Sequence, residues 1–180
     1  AATTAGSTDT ITGTLTGSTV GTVTITTAAA NGFETLGLVS SGSTPNTLTT
    51  LTQTTGTTLA TANISGAQAL TATVLPNTIR TITGTTATGA LTLGAGTTAG
   101  AYVQFNTANL ISVVGGTGND VLILNTTLDS NDFTSGTCDL GAGTDVVQLS
   151  LAADFLSASP FRNTEEARVN ATATAALNFN

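Results

Sequence analysis

Residues 8–27 read T-D-T-I-T-G-T-L-T-G-S-T-V-G-T-V-T-I-T-T, and this stretch limits the fold more than any other feature. Ile11, Leu15, Val23 and Ile25 stand at odd positions with threonines between them. A period of two places one set of side chains on each face of an extended strand. β-Branched threonine suits the outward face of a pleated surface and is a poor helix former. Gly13, Gly17 and Gly21 interrupt the alternation and predict bends or bulges. The same grammar returns at 48–52, 70–74, 79–83 and 91–93, separated by Gly, Asn, Ser or Pro clusters. Connections this short leave no room for crossover helices, so the expected class is all-β.

Composition decides what kind of core such strands can build. The 180 residues include 44 Thr and 20 Gly, with 39% hydrophobic and only 4% aromatic residues. Disorder is disfavoured by that hydrophobic content. A core without large rings must be thin and built from Val, Ile, Leu and Ala. The net charge is −7, and the three basic residues are Arg80, Arg162 and Arg168, with no Lys or His. Three arginines cannot neutralise a run of phosphates, so nucleic acid is excluded as a partner. Without His or Lys, most general-base, Schiff-base and zinc chemistry is gone. No apolar run is long enough for a transmembrane helix. Cys138 cannot form an intramolecular disulfide; it reads as a small buried residue or an intermolecular link. No basic and apolar leader is visible, so export would use a removed leader or a signal elsewhere.

Three segments align without gaps: 91–98 (LTLGAGTT), 113–120 (VVGGTGND) and 138–145 (CDLGAGTD). A weaker echo, Ile64-Ser65-Gly66 followed by Leu70, precedes them. Strand, glycine turn and strand at intervals of 22 to 28 residues describe one coil of a β-solenoid. A single coil cannot bury its inner face, whereas stacked coils bury it with small aliphatics. The expected architecture is a β-solenoid or β-roll-like stack of short strands with an irregular C-terminal cap. Residues 1–31 are read as a Thr-rich strand segment and assembly arm, 32–150 as the repeat module and 151–180 as the cap.

Gly115-Gly116-Thr117-Gly118-Asn119-Asp120-Val121-Leu122-Ile123 fits the pattern G-G-x-G-x-D-x-U-x, where U is a large apolar residue. Glycines let the backbone turn its carbonyls toward one locus, and the aspartate adds a carboxylate. Oxygen donors at a flexible turn suit a hard cation such as Ca²⁺. Gly141-Ala142-Gly143-Thr144-Asp145 is a partial second copy; in the segment at Gly94, Thr98 replaces the aspartate. If the repeat is one coil, Asp120 and Asp145 stack on one edge and need a countercharge. The candidate metal residues are Gly116, Gly118, Asn119, Asp120, Asp132, Asp139, Gly141, Gly143 and Asp145. Asp129, Asp132 and Asp139 read equally well as ligands or as solvated loop residues.

The nonapeptide resembles the calcium β-roll motif of the repeats-in-toxin family. The wider Thr-rich pattern, with 32–36, 63–70 and the Asp-rich 128–132, is similar to the repeats of bacterial surface-layer proteins such as those of Caulobacter. The resemblance covers roughly residues 32–155. It implies type I secretion, calcium-driven folding outside the cell and assembly into a lattice or filament. It also implies that Asp120, Asp145 and the turn carbonyls near 116, 118, 141 and 143 are calcium ligands. This chain carries one full and one partial nonapeptide, so one to three ions are expected rather than a ladder.

The resulting expectation is a structural, self-assembling extracellular surface protein, stabilised by calcium. Its partners would be further copies of itself and a cell-surface polysaccharide. An adhesin or binding module on the same scaffold is the alternative. Catalysis is not expected: there is no Trp, the one Tyr is Tyr102, and no base is placed near the acids. Thr-x-Thr pairs also suit an ice-binding face, but they fall irregularly against the repeat. The Asn63, Asn125 and Asn170 sequons carry little weight in a Thr-rich chain.

Overall fold

A computed structural model describes residues 8–26, 32–54, 59–76, 78–94, 112–125, 137–151 and 161–171. The described residues form fourteen strands and no helix. They are β1 (Thr10–Thr16), β2 (Thr19–Ile25), β3 (Thr35–Ser41), β4 (Asn46–Gln53), β5 (Thr61–Gly66), β6 (Leu70–Val74) and β7 (Thr81–Ala87). Then follow β8 (Leu91–Leu93), β9 (Ser112–Val114), β10 (Val121–Asn125), β11 (Thr137–Asp139), β12 (Val146–Leu151), β13 (Phe161–Arg162) and β14 (Glu166–Ala171).

Odd-numbered strands make one seven-stranded sheet and even-numbered strands the other, each in sequence order. Each described strand pair is parallel, so the chain winds as a two-sheeted β-solenoid with one odd and one even strand per coil. The expected class is therefore the observed one. Alternation along each strand sends apolar residues into the space between the sheets. Ile11, Leu36, Ala62, Ile82, Val113, Cys138 and Phe161 form one inner row. Most of that row is buried, and the facing row on the even sheet contains Leu48, Ala72, Leu93, Leu122 and Val147. The core is the thin aliphatic one that the composition demanded. Cys138 lies wholly inside it, and burial pushes its thiol far above the usual range.

The outer face of the odd sheet carries Thr10, Thr35, Thr61, Thr81, Ser112 and Thr137 in register. The neighbouring outer row contains Thr12, Gly37, Asn63, Thr83, Val114 and Asp139. Across these two rows Thr-x-Thr pairs occur only at Thr10/Thr12 and Thr81/Thr83, so the two rows form no continuous hydroxyl lattice.

Three sequence expectations are corrected. Leu91–Gly94, the described part of the 91–98 segment, does not stack on the other two. Leu93 pairs with Leu122, so Gly94 follows the even strand and lies beside Ile123, on the opposite edge of the solenoid. The coil preceding Gly115–Asp120 turns instead at Thr88-Gly89-Ala90, and the weak echo at Gly66 belongs to that same edge. Next, position 32 is no boundary in the sheets: β1 and β2 pair with β3 and β4 as the first coil. Finally, the irregular cap expected over 151–180 gives way, in its described residues 161–171, to a seventh coil. Glu166, Ala167 and Arg168 pair with Val146, Val147 and Gln148 in extended conformation. The sheet edge already offers each of these residues a backbone partner, which a lone short helix cannot match.

The first coil packs less fully than the others. An apolar cavity of about 210 Å³ lies among Ile11, Gly13, Leu15, Val23, Ile25, Leu38 and Leu51. Leu38 and then Ile64 hold the inner position that Gly13 occupies in the first coil. No atom stands within 4 Å of where a side chain on Gly13 would begin. The cavity is a missing side chain at one inner position.

Candidate functional site

The corner between odd and even strands is where the acids collect. Register places Ser18, Asn46, Leu70, Leu91, Asp120, Asp145 and Glu165 in one column, each at or just before the start of its even strand. The expected stacking of Asp120 on Asp145 is what the structure has. Their role follows from the backbone. At a tight corner an N–H leaves the sheet ladder and must find another acceptor. A side chain one coil further along supplies it.

Asp120 Oδ1 accepts the Leu91 N–H at 2.8 Å, and its Oδ2 accepts the Gly116 N–H at 2.8 Å. Asp145 Oδ1 accepts the Asp120 N–H at 2.7 Å. Glu165 Oε2 accepts the Asp145 N–H at 2.6 Å. Three consecutive carboxylates thus each bind a backbone N–H of the coil before. The glycines follow from this close stacking. A Cβ on Gly115 would overlap the Leu140 carbonyl oxygen and crowd Asp120 Oδ2. Gly141 has φ of +91°, a conformation that side chains disfavour.

Asp120 and Asp145 are 2% and 0% exposed. Desolvation raises the pKa of Asp120 despite its two backbone hydrogen bonds. Desolvation also raises that of Asp145, and the negative charges of Asp120, Glu165 and Asp139 add to it. Asp145 Oδ2 is buried and has no hydrogen-bond partner.

The other expected ligands are distributed as follows. Asn119 Oδ1 accepts the Thr144 N–H at 3.0 Å, and the Gly116 carbonyl accepts the Ala142 N–H at 3.1 Å. Asp139 Oδ1 accepts from Gly141 N–H and from Asn163 Nδ2. The Gly118 carbonyl lies against Gly143 of the next coil. Asp132, Asp129 and the insertion 128–132 that carries them lie outside the described residues. Among the described residues no three acidic, His or Cys side chains gather as a metal-ligand group. Against a Ca²⁺ shell of six to eight oxygens, the donors fit in part. Asp145 Oδ2 is open, while both Asp120 oxygens already hold N–H groups.

Sequence reasoning missed three members of this system. Asn46 is fully buried in the same column. Its Oδ1 accepts the Ser18 N–H, and its Nδ2 donates to Ser40 Oγ and the Ser41 carbonyl, each at 2.9 Å. Glu165 ends the column. On the opposite edge, Glu34 Oε2 accepts the Asp9 N–H at 2.7 Å. The available signal was position: Glu34 and Glu165 directly precede a strand, as Asp120 and Asp145 do, and Asn46 opens one.

No protein-family model matches the chain, and no curated protein or solved structure shows significant similarity to it.

Proposed function

We propose that this chain is a structural module of an extracellular, self-assembling layer or filament. The observation that carries the reading is a parallel solenoid whose terminal strands, β1 and β2 at one end and β13 and β14 at the other, each have one neighbour among the described strands. Unpaired strand edges are templates for further pairing. The low charge supports the same reading, since 7% charged residues give a wall of hydroxyls with little repulsion between copies.

Calcium enters this proposal as a stabiliser of the glycine corner. The open oxygen of Asp145, with Asp120, Asp139 and Glu165 nearby in charge, supports a cation there. A bound Ca²⁺ would supply countercharge; Asp145 would hold it, and Asp120 would keep the backbone turn in place. Binding to the folded state alone raises stability by mass action.

Electron microscopy of purified protein, with Ca²⁺ and with EDTA, tests the assembly. Regular sheets or filaments are expected; persistent monomers that bind a surface ligand would favour an adhesin instead. Melting curves of EDTA-treated protein during Ca²⁺ titration test the ion separately. The expected result is a rise in Tm that Asp145→Asn abolishes, and an unchanged Tm would remove calcium from the proposal.

A further inference from the structure

Resting on the extracellular reading, we propose that Asn63 carries an N-linked glycan, attached before its strand joins the sheet. Asn63-Ile64-Ser65 is an Asn-x-Ser sequon, the acceptor triplet for a bulky, solubilising sugar chain. In sequence it is one of three such triplets in a Thr-rich chain. Its place in the fold sets it apart.

Four asparagines have described side chains, and three of them hold the fold together. Asn46 closes a corner, Asn119 accepts the Thr144 N–H, and Asn163 donates to Asp139. The exposed Asn63 amide has no hydrogen-bond partner among the described residues. It also stands in the middle of a strand, where asparagine is depleted. Neither packing nor hydrogen bonding within the coil accounts for it.

Its surroundings suit a sugar. Asn63 pairs with Gly37 on one side and Thr83 on the other, across strands about 4.7–4.9 Å apart. Thr61 and Ser65 flank it on the same face, since side chains two apart in a strand point the same way. Strands β3, β5 and β7 contain no charged residue. A first sugar on Asn63 therefore meets solvent and small side chains. Because β3 and β7 enclose β5, this placement does not depend on either end of the solenoid.

The order of events follows from Ile64. It lies between the two sequon residues, is 2% exposed and is anchored in the core. The paired triplet cannot leave the sheet to enter a transferase, so transfer precedes pairing. In that step Asn63 Nδ2 attacks the anomeric carbon of a lipid-pyrophosphate-linked oligosaccharide. The N–C bond forms as the anomeric C–O bond breaks, lipid pyrophosphate leaves, and the amide loses one proton.

The test is the mass of the protein isolated from its own cells and cleaved after arginine. Asn63 then lies on the fragment ending at Arg80, Asn125 on the one ending at Arg162, and Asn170 beyond Arg168. The Arg80 fragment should be heavier than its sequence by one oligosaccharide, and an unmodified fragment would overturn the site. The order is tested with an oligosaccharyltransferase that reads Asn-x-Ser/Thr and its lipid-linked donor. A chain exported beside this enzyme should gain the glycan, and Asn63→Gln or Ser65→Ala should each remove it. Folded protein given the same enzyme and donor should gain none; equal transfer to both would overturn the order. The glycosylated chain should keep a cooperative melt, and its loss would overturn the outward placement. An unmodified Arg80 fragment from a surface layer would remove the glycan and leave the assembly reading standing, whereas a glycosylated protein that never assembles would do the reverse.

Discussion

Asn46 and Asp145 occupy the same corner position four coils apart, and they solve it differently. Asn46 accepts one backbone N–H and donates both of its own to Ser40 and Ser41, so no polar atom is left over. Asp145 also accepts one N–H, but its second oxygen is buried without a donor and faces the field of three other carboxylates. The column requires an acceptor at this position, not a charge. The neutral corner is complete by itself, whereas the charged one is complete only with a proton or a cation. That contrast is the physical content of the acid clustering.

The contrast can be broken most severely at the neutral end. Asn46→Ala removes three buried hydrogen bonds and strands the Ser18 N–H, and should lower stability by about 2–4 kcal/mol in urea unfolding. A loss under half of that range would show that the corner relaxes freely. The next largest effect separates the two aspartates. In Asp120→Asn an amide NH₂ replaces an oxygen that accepts an N–H, and about 1–3 kcal/mol should be lost. Asp145→Asn keeps the acceptor for Asp120 N–H and removes a buried charge, so in calcium-free buffer at neutral pH it should gain about 1 kcal/mol. Equal destabilisation by both substitutions would erase the distinction between them.

A smaller effect is expected from pH. Burial raises both Asp120 and Asp145 above their unfolded values, so the folded state holds their protons to higher pH than the unfolded chain does. Their contribution is fully present below the unfolded carboxylate range and is lost as pH rises through the folded pKa values. Without calcium, Tm should therefore fall as pH rises above the ordinary carboxylate range, and Asp145→Asn should flatten that slope. A Tm rising over this interval would contradict the sign. The smallest effect belongs to the exposed Arg168–Glu166 pair, at 2.7 Å. Arg168→Ala should leave Tm within error, because solvent screens such pairs.

Much of this was legible in the chain. Period-two threonines at 10–26 read directly as strands, since side-chain alternation is a local consequence of extended backbone. The stacking of Asp120 on Asp145 was also legible, because one coil separates two copies of the same turn. The misplacement of Gly94 has a physical reason. Coil length varies: 20 residues separate Thr61 from Thr81, and 31 separate Thr81 from Ser112. A glycine turn looks the same in sequence at either edge, and only strand pairing says which edge it serves. The extended conformation of 166–168 was hidden for a similar reason, since its Glu-Ala-Arg composition favours helix until a neighbouring strand offers hydrogen bonds.

The threonine alternation and the scarcity of charge, by themselves, determined an all-β stack with a thin aliphatic core and hydroxyl-bearing walls. These follow from the pleat and from what small side chains can bury. Register decided the rest. It turned the acids before strands into acceptors for the coil below, left Asp145 with one unpaired oxygen, and placed an empty inner position in the first coil. Those properties belong to residues 20 or more apart in the chain, brought within hydrogen-bonding distance by parallel pairing that no local pattern encodes.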